Sequence, residues 1–198
     1  MKIITSIFII LTFFGCQKPY EKEEIKAIEE VTNDYLKKND LDKYYLKPHD
    51  FFGKPIVAKA NIDTLNFKVY LSDALMPINQ VREDNKWMFH NNDFSKSDSI
   101  IFYNIMNSER FKELEYREYD KSKIKLIKPY SQFDEEKIKP EEEYSKILFS
   151  RVCFDEKMEN GIVVIDYLRG TDSGFTSGYN MALLIKKKNN KWSYVSRK

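Results

Sequence analysis

The stretch with the densest set of reactive and polar groups runs from Arg169 through Gly170, Thr171, Asp172, Ser173, Gly174, Phe175, Thr176 and Ser177 to Gly178. Asp172-Ser173-Gly174 could in principle offer a nucleophilic hydroxyl or a reactive carboxylate. A serine nucleophile needs a base within hydrogen-bond reach, and His49 and His90 are the only histidines in the chain. A reactive carboxylate needs a second one sharing its proton and an apolar strand leading into it, whereas Gly170-Thr171 precedes Asp172 here. The glycines do not form a phosphate cradle either, because no Gly-Lys-Ser/Thr follows and no helix start is indicated. The stretch therefore reads as a polar loop between two strands, with Arg169, Asp172, Ser173 and the following Tyr179 as candidate binding residues and no catalytic role.

Other reactive types are sparse. His49 lies beside Asp50 and His90 beside Asn91-Asn92, without Glu or Cys at ligand spacing, so no zinc site is expected. Asp134-Glu135-Glu136 and Glu141-Glu142-Glu143 are consecutive, so their side chains diverge instead of converging on one cation. No metal and no cofactor is implied. Cys153, between Val152 and Phe154 in a β-rich run, reads as a buried thiol. Asp166 interrupts an apolar run and leaves two readings open. It faces solvent, as Ser150 and Arg151 on a neighbouring strand suggest, or it points into the concavity of a curved sheet with Arg151 or Arg169 as partner. In the second case Tyr167 and Met181 would join it in lining a pocket.

These residues sit in the last third, Lys146 to Ser196, where apolar residues recur at every second position. Val163, Ile165 and Tyr167 alternate, as do Tyr179, Met181, Leu183 and Ile185. Ile162, Val164 and Leu168 make the other face of the first run apolar as well, which predicts a central strand. With Ile147–Phe154 before it and Trp192–Val195 after it, the segment reads as a four-strand antiparallel meander. Its turns are expected at Asn160-Gly161 and Lys188-Asn189-Asn190. At the other end, Ile25, Ile28, Val31, Tyr35 and Leu36 recur at helical spacing, so Glu21–Lys38 predicts an amphipathic helix ending near Asn39-Asp40 and packing on the sheet.

The middle third is less regular. Residues 41–52 are aromatic and irregular; Ile56–Ala58, Phe67–Leu71, Trp87–Phe89 and Ile124–Ile127 read as short strands. Ser95–Ser99 offers N-caps for a helix carrying Ile100, Ile101, Ile105 and Met106, and Pro129–Pro140 reads as an internal loop. The fold class expected is α+β: an N-terminal helix on an antiparallel, curved sheet, forming one domain over residues 21–198. At 198 residues and 42% hydrophobic composition the chain can bury a substantial core.

Lys2 followed by the apolar run Ile3–Phe14 has the charged and apolar regions of a secretory signal over residues 1–15, and the run is shorter than the ~20 residues a membrane-spanning helix needs. Phe13-Phe14-Gly15-Cys16 resembles a bacterial lipoprotein lipobox, although Phe13 and Phe14 depart from its usual Leu and Ala/Ser. The resemblance implies cleavage before Cys16, a diacylglycerol thioether on that cysteine, palmitate-type acylation, and residues 16–20 as a lipidated tether. With no Asp after Cys16, it implies an outer-membrane address in the cell envelope, facing either the periplasm or the outside. Several acyl chains anchor firmly, since each buried CH₂ contributes about 0.8 kcal/mol. A formal charge of +2 argues against a nucleic-acid surface.

Asp73-Ala74-Leu75, Phe94-Ser95-Lys96-Ser97-Asp98, Phe149-Ser150-Arg151-Val152 with Phe154, and Lys191-Trp192-Ser193-Tyr194-Val195 together resemble uncharacterised bacterial envelope lipoproteins over the last half of the chain. That resemblance carries no activity. A helix followed by a meander with a Trp-containing last strand is also similar to the nuclear-transport-factor-2-like roll, which implies an apolar pocket. The function expected is non-catalytic binding or assembly on a lipid tether with an envelope protein partner, as 13 tyrosines and 14 phenylalanines exceed what the core needs. The alternatives are a small-molecule pocket, enzymatic or not, and a toxin-neutralising immunity lipoprotein.

Overall fold

The structure is a computed structural model that describes residues 3–47, 54–55, 61–90, 93–134, 142–171 and 173–196; in the first helix, side chains are described from Pro19 onward. The expected strand at 56–58, positions 48–52 of the aromatic segment 41–52, His49 and Asp172 lie outside the described residues, as do Glu135, Glu136 and Glu141 of the two acidic runs.

Helix α1 spans Ile3–Tyr35 and buries Ala27, Ile28, Val31 and Tyr35, the face that the spacing predicts. Helical winding does not stop at Asn39-Asp40. It continues through Leu36–Leu46 in wider turns, the last closed by the Lys47 amide donating to the Asp42 carbonyl at 2.7 Å. No helix among the described residues is long and apolar enough to cross a membrane.

The strands and remaining helices follow in the order β1 (Phe67–Met76), α2 (Ile78–Asp84), α3 (Lys96–Met106), α4 (Glu109–Glu113), β2 (Arg117–Glu118), β3 (Tyr130–Gln132), β4 (Tyr144–Ser150), β5 (Cys153–Phe154), β6 (Asn160–Thr171), β7 (Gly174–Lys188) and β8 (Lys191–Tyr194). They form one mixed sheet of eight strands with the main order β2-β1-β4-β6-β7-β8; β3 pairs with β1 and β5 with β6. The meander β4-β6-β7-β8 is antiparallel, whereas β1 runs parallel to both β3 and β4 because long excursions through α2–α4 separate them. The chain is thus α+β, with α1 on one face of a mostly antiparallel sheet and α2–α4 on the other.

Parity along β6 divides the core. Val163, Ile165 and Tyr167, with Leu183 and Ile185 of β7, face α1 together with Val69, Leu71, Ile147, Phe149 and Trp192. Ile162 and Val164, with Ala182 and Leu184, face Ile78, Phe89, Phe102, Ile105 and Phe111 from the second layer. β6 is therefore central and buried on both sides, as its sequence predicts.

Several expectations need correction. Asn160 and Gly161 belong to β6; the turn falls at Asp155–Glu159, where the Asp155 carboxylate accepts from the Glu159 amide at 2.9 Å and from Asn160 Nδ2 at 2.6 Å, and Met158 takes the positive φ. Gly161 is required for close packing instead: a Cβ there would lie 2.9 Å from the Phe154 ring. At the other turn Asn189 and Asn190 both have positive φ, forming the expected tight hairpin. Trp87–Phe89 is a single helical turn, Lys86–Phe89, that buries Met88 and Phe89 and turns Trp87 outward. Ser95 does cap α3, accepting from the Asp98 amide at 3.2 Å, yet Phe102 and Ile105 are the residues α3 buries while Ile100 is exposed. Residues 124–127 are extended but pair with no strand; Asn33 of α1 accepts from the Ile127 amide and donates to the Lys125 carbonyl, and Glu29 accepts from the Lys125 amide. Inside the expected 129–140 loop, Tyr130–Gln132 forms β3.

Glu24, fully buried on α1, accepts from Arg151 Nε at 2.9 Å, the Val152 amide at 2.8 Å and Arg117 Nη2 at 2.7 Å. Removing one partner of such a buried ion pair strands the others, so Glu24→Ala is expected to cost about 3–5 kcal/mol. Gly161→Ala is expected to cost about 1–3 kcal/mol through overpacking against Phe154. Urea unfolding checks both; a midpoint equal to that of the unsubstituted protein in either variant would contradict the contact it tests.

Candidate functional site

The hairpin that carries the sequence-predicted binding residues is more regular than a glycine-rich loop. β6 runs to Thr171 and β7 starts at Gly174, so residues 172 and 173 alone lie between them. The register shifts after Arg169, and Gly174 takes a φ of 142° that favours glycine. Ser173 is exposed and its hydroxyl lies 2.8 Å from that of Thr171.

Arg169 does not project with Ser173. Its Nη2 donates to the Tyr45 hydroxyl at 2.9 Å and lies 3.6 Å from Glu143, and its Nη1 lies 3.8 Å from Asp40. Asp40, only 4% exposed, accepts from Tyr130 at 2.8 Å and from Tyr167 at 3.5 Å, and the Tyr167 hydroxyl is 2.8 Å from that of Ser145. The result is a buried polar network under the wide turns that end the helical segment. Burial, and then the Asp40 charge, push the Tyr167 hydroxyl up to about 12 and that of Tyr130 higher still. Burial opposes the charge on Arg169, but its Tyr45 bond and the nearby Asp40 carboxylate keep the guanidinium firmly protonated. Tyr130, Tyr167 and Arg169 all keep their protons at neutral pH, and through Asp40 and Tyr45 they hold the end of the helical segment in place. Sequence spacing had singled out Arg169 and Tyr167 but not Asp40, Tyr45, Tyr130 or Ser145, which come from three separate segments.

The expected pocket residues part company. Tyr167, Tyr179 and Met181 do lie together, on the face covered by α1. Tyr35 fills the space beside them, with ring centroids 6.3 Å from Tyr167, 5.9 Å from Tyr179 and 6.0 Å from Tyr194, and Tyr167 stacks on Tyr179 at 5.6 Å. Tyr35 and Tyr167 are packed core, with Met181 partly buried against them and Tyr179 half-exposed at the rim, where a cavity lining was expected. Asp166 is on the opposite face by parity, cross-strand from Leu148 and Asn180, on the part of the sheet beyond α2–α4. Neither proposed arginine reaches it: Arg169 joins Asp40, and Arg151 joins Glu24. Asp166 has no hydrogen bond or ion pair among the described residues, and its half-burial raises its pKa.

Cys153 is fully buried, with its thiol pushed up to about 11 chiefly by burial and lying 3.8 Å from the Ser108 hydroxyl, so it is protonated and inert at neutral pH. His90 is exposed, 3.6 Å from Asp93. An open cleft of about 790 Å³ lies elsewhere, between α3–α4 and the β5–β6 turn, lined by Ile105, Ser108, Arg110, Phe154, Lys157 and Glu159 among others. Its walls come from two distant stretches, 104–110 and 154–160, which left no local signal in the sequence.

Because the Asp166 pKa is raised on folding, its carboxylate lowers stability as pH rises through the folded-state value, while at lower pH the protonated group carries no such cost. Asp166→Asn is therefore expected to raise the urea midpoint at about pH 7 and to leave it nearly unchanged at about pH 3. A lowered midpoint at neutral pH would mean that the carboxylate has a stabilising partner. Comparison of the chain with models of protein families, with curated proteins and with solved structures gave no match.

Proposed function

We propose that this chain is a lipid-anchored protein of the bacterial cell envelope, held at Cys16, whose folded domain works by non-catalytic binding to a protein partner. The outer membrane is the address that the residues after Cys16 favour. The observation carrying the binding reading is the distribution of aromatic side chains. The layer of α2–α4 and its flanks leaves Trp87 64% exposed and Tyr103 56% exposed, with Ile100 one turn from Tyr103 on the same side of α3 and Tyr116 beyond α4. On the opposite face Tyr35 of α1 and Tyr167 are buried against each other, and Tyr179, at 38%, is less exposed than any of these rings. Exposed aromatic rings cost solubility and are the side chains that dominate binding energy at protein interfaces.

The pocket alternative loses support from Tyr35, which occupies the volume that Tyr167, Tyr179 and Met181 would have lined. The groups a catalytic reading would need are also poorly placed for it: the Cys153 thiol is buried and protonated, and Asp166 faces away from the tyrosines.

Metabolic labelling with palmitate is expected to tag the chain and to fail in Cys16→Ser, and equal labelling of both would remove the anchor from the proposal. For the binding role, cross-linked pull-down from solubilised envelopes is expected to recover a discrete partner. Trp87→Ala with Tyr103→Ala should weaken that recovery by on the order of tenfold or more, as each aromatic anchor contributes above ~1 kcal/mol. Recovery of the protein alone in several detergents would refute it.

A further inference from the structure

The first residue of the mature chain that packs on the domain is close to the anchor. The Tyr20 hydroxyl donates to the Val152 carbonyl, its ring meets Phe154 edge-on at 5.3 Å, and the Arg110 guanidinium lies 5.3 Å above it. Only Gln17, Lys18 and Pro19 separate Tyr20 from Cys16. The distance from Cys16 to Tyr20 is then about 6 Å if the helix persists and about 14 Å at full extension. Neither value allows the domain to rotate freely at the end of a stalk.

The short connection also decides which pole is near the lipid. Tyr20 sits at the β5–β6 end of the sheet, since Phe154 pairs with Gly161. β6 runs from there to Thr171, so the tip of the β6–β7 hairpin lies roughly 30 Å away at the opposite pole. The cleft, by contrast, is at the Tyr20 pole: Phe154 and Arg110 both line it and both touch Tyr20. Arg110 and Lys157 form no ion pair among the described residues, and neither do Glu156 and Glu159, which line the same cleft. The other two carboxylates of the lining are engaged within the fold, Glu109 with Lys112 and Asp155 with the Glu159 amide and Asn160, which leaves two cations and two carboxylates to meet a phosphate and an ammonium group presented together.

Resting on the lipid-anchored reading, the geometry points to one fixed orientation on the bilayer. The pole built from Tyr20, α4 and the β5–β6 turn lies on zwitterionic phospholipid headgroups, with its cleft opening onto them, and the hairpin tip at Ser173 points away from the membrane. The membrane surface is thus the partner of this pole, and the polar hairpin is left free for the aqueous side.

The test uses the mature lipidated protein in vesicles of phosphatidylethanolamine doped with a phospholipid that carries a nitroxide on its headgroup. A single fluorophore is placed through Glu156→Cys or Ser173→Cys; Cys16 is acylated and Cys153 buried, so neither competes for the label. Quenching is expected to be several-fold stronger at position 156 than at position 173. An insert of about 12 Gly/Ser residues after Pro19, which adds a flexible span of ~19 Å, should bring the ratio towards one. Equal quenching at both positions while the protein still floats with the vesicles would overturn the orientation and leave the anchor standing. A ratio unchanged by the insert would overturn the short connection as its cause. Failure to float would remove the anchor itself, and the orientation with it.

Discussion

Glu24 sits with no exposed surface between two arginines and a backbone amide, and the arrangement of both helical layers depends on it. Arg117 belongs to β2 at one edge of the sheet and Arg151 follows β4 near its centre, so one carboxylate on α1 fixes the helix to two strands that do not pair with each other. Arg151 then donates to the Glu115 carbonyl at 2.7 Å, which ties in the segment leading out of α4. A charge buried this deeply is tolerable only because its hydrogen-bonding capacity is met from three directions. Apolar packing alone would allow α1 to slide along its groove, whereas this cluster sets its position along the axis.

Other carboxylates on the same helix extend the principle. Glu23 accepts from the indole of Trp192 at 2.7 Å and pairs with Lys187 at 2.8 Å, while Glu30 accepts from the Trp192 amide at 2.7 Å. Glu29 and Asn33 satisfy the extended chain at 125–127. The face of α1 that sequence spacing would assign to solvent therefore does much of the attaching. Its glutamates act as hydrogen-bond acceptors for backbone that no strand covers, and its apolar stripe fills the core beneath.

This explains what could be read from the sequence and what could not. The meander and the α1 stripe were legible because apolar periodicity is local: Val163, Ile165 and Tyr167 report their face whatever their partners are. The asparagine hairpin at 189–190 was legible for the same reason. Asn160-Gly161 misled because a residue pair that tolerates a turn is equally suited to a crowded strand, and only the Phe154 ring decides between them. The segment 124–127 looked like a strand because its side chains alternate correctly, yet its hydrogen bonds go to side chains of a helix more than ninety residues earlier. The Asp40 network was invisible for a related reason, since its members gain meaning only when Tyr130, Ser145 and Tyr167 are brought together in space. The exposed Trp87 and Tyr103 show the converse: sequence pattern marked aromatic content, but only a completed core reveals which rings were left outside it.

The contact between α1 and β8 joins residues separated by more than 160 positions. A chain made or exported from its N-terminus presents Glu23, Glu24 and Glu30 long before Arg117, Arg151 and Trp192 exist to receive them. Until then the apolar stripe of α1 has nothing to cover it, and closing such long loops is slow relative to local winding. The closure of α1 onto β8 therefore has to wait for Trp192, which arrives only near the end of the chain. On the envelope reading proposed above, that order keeps the fold from locking before the chain has crossed the membrane.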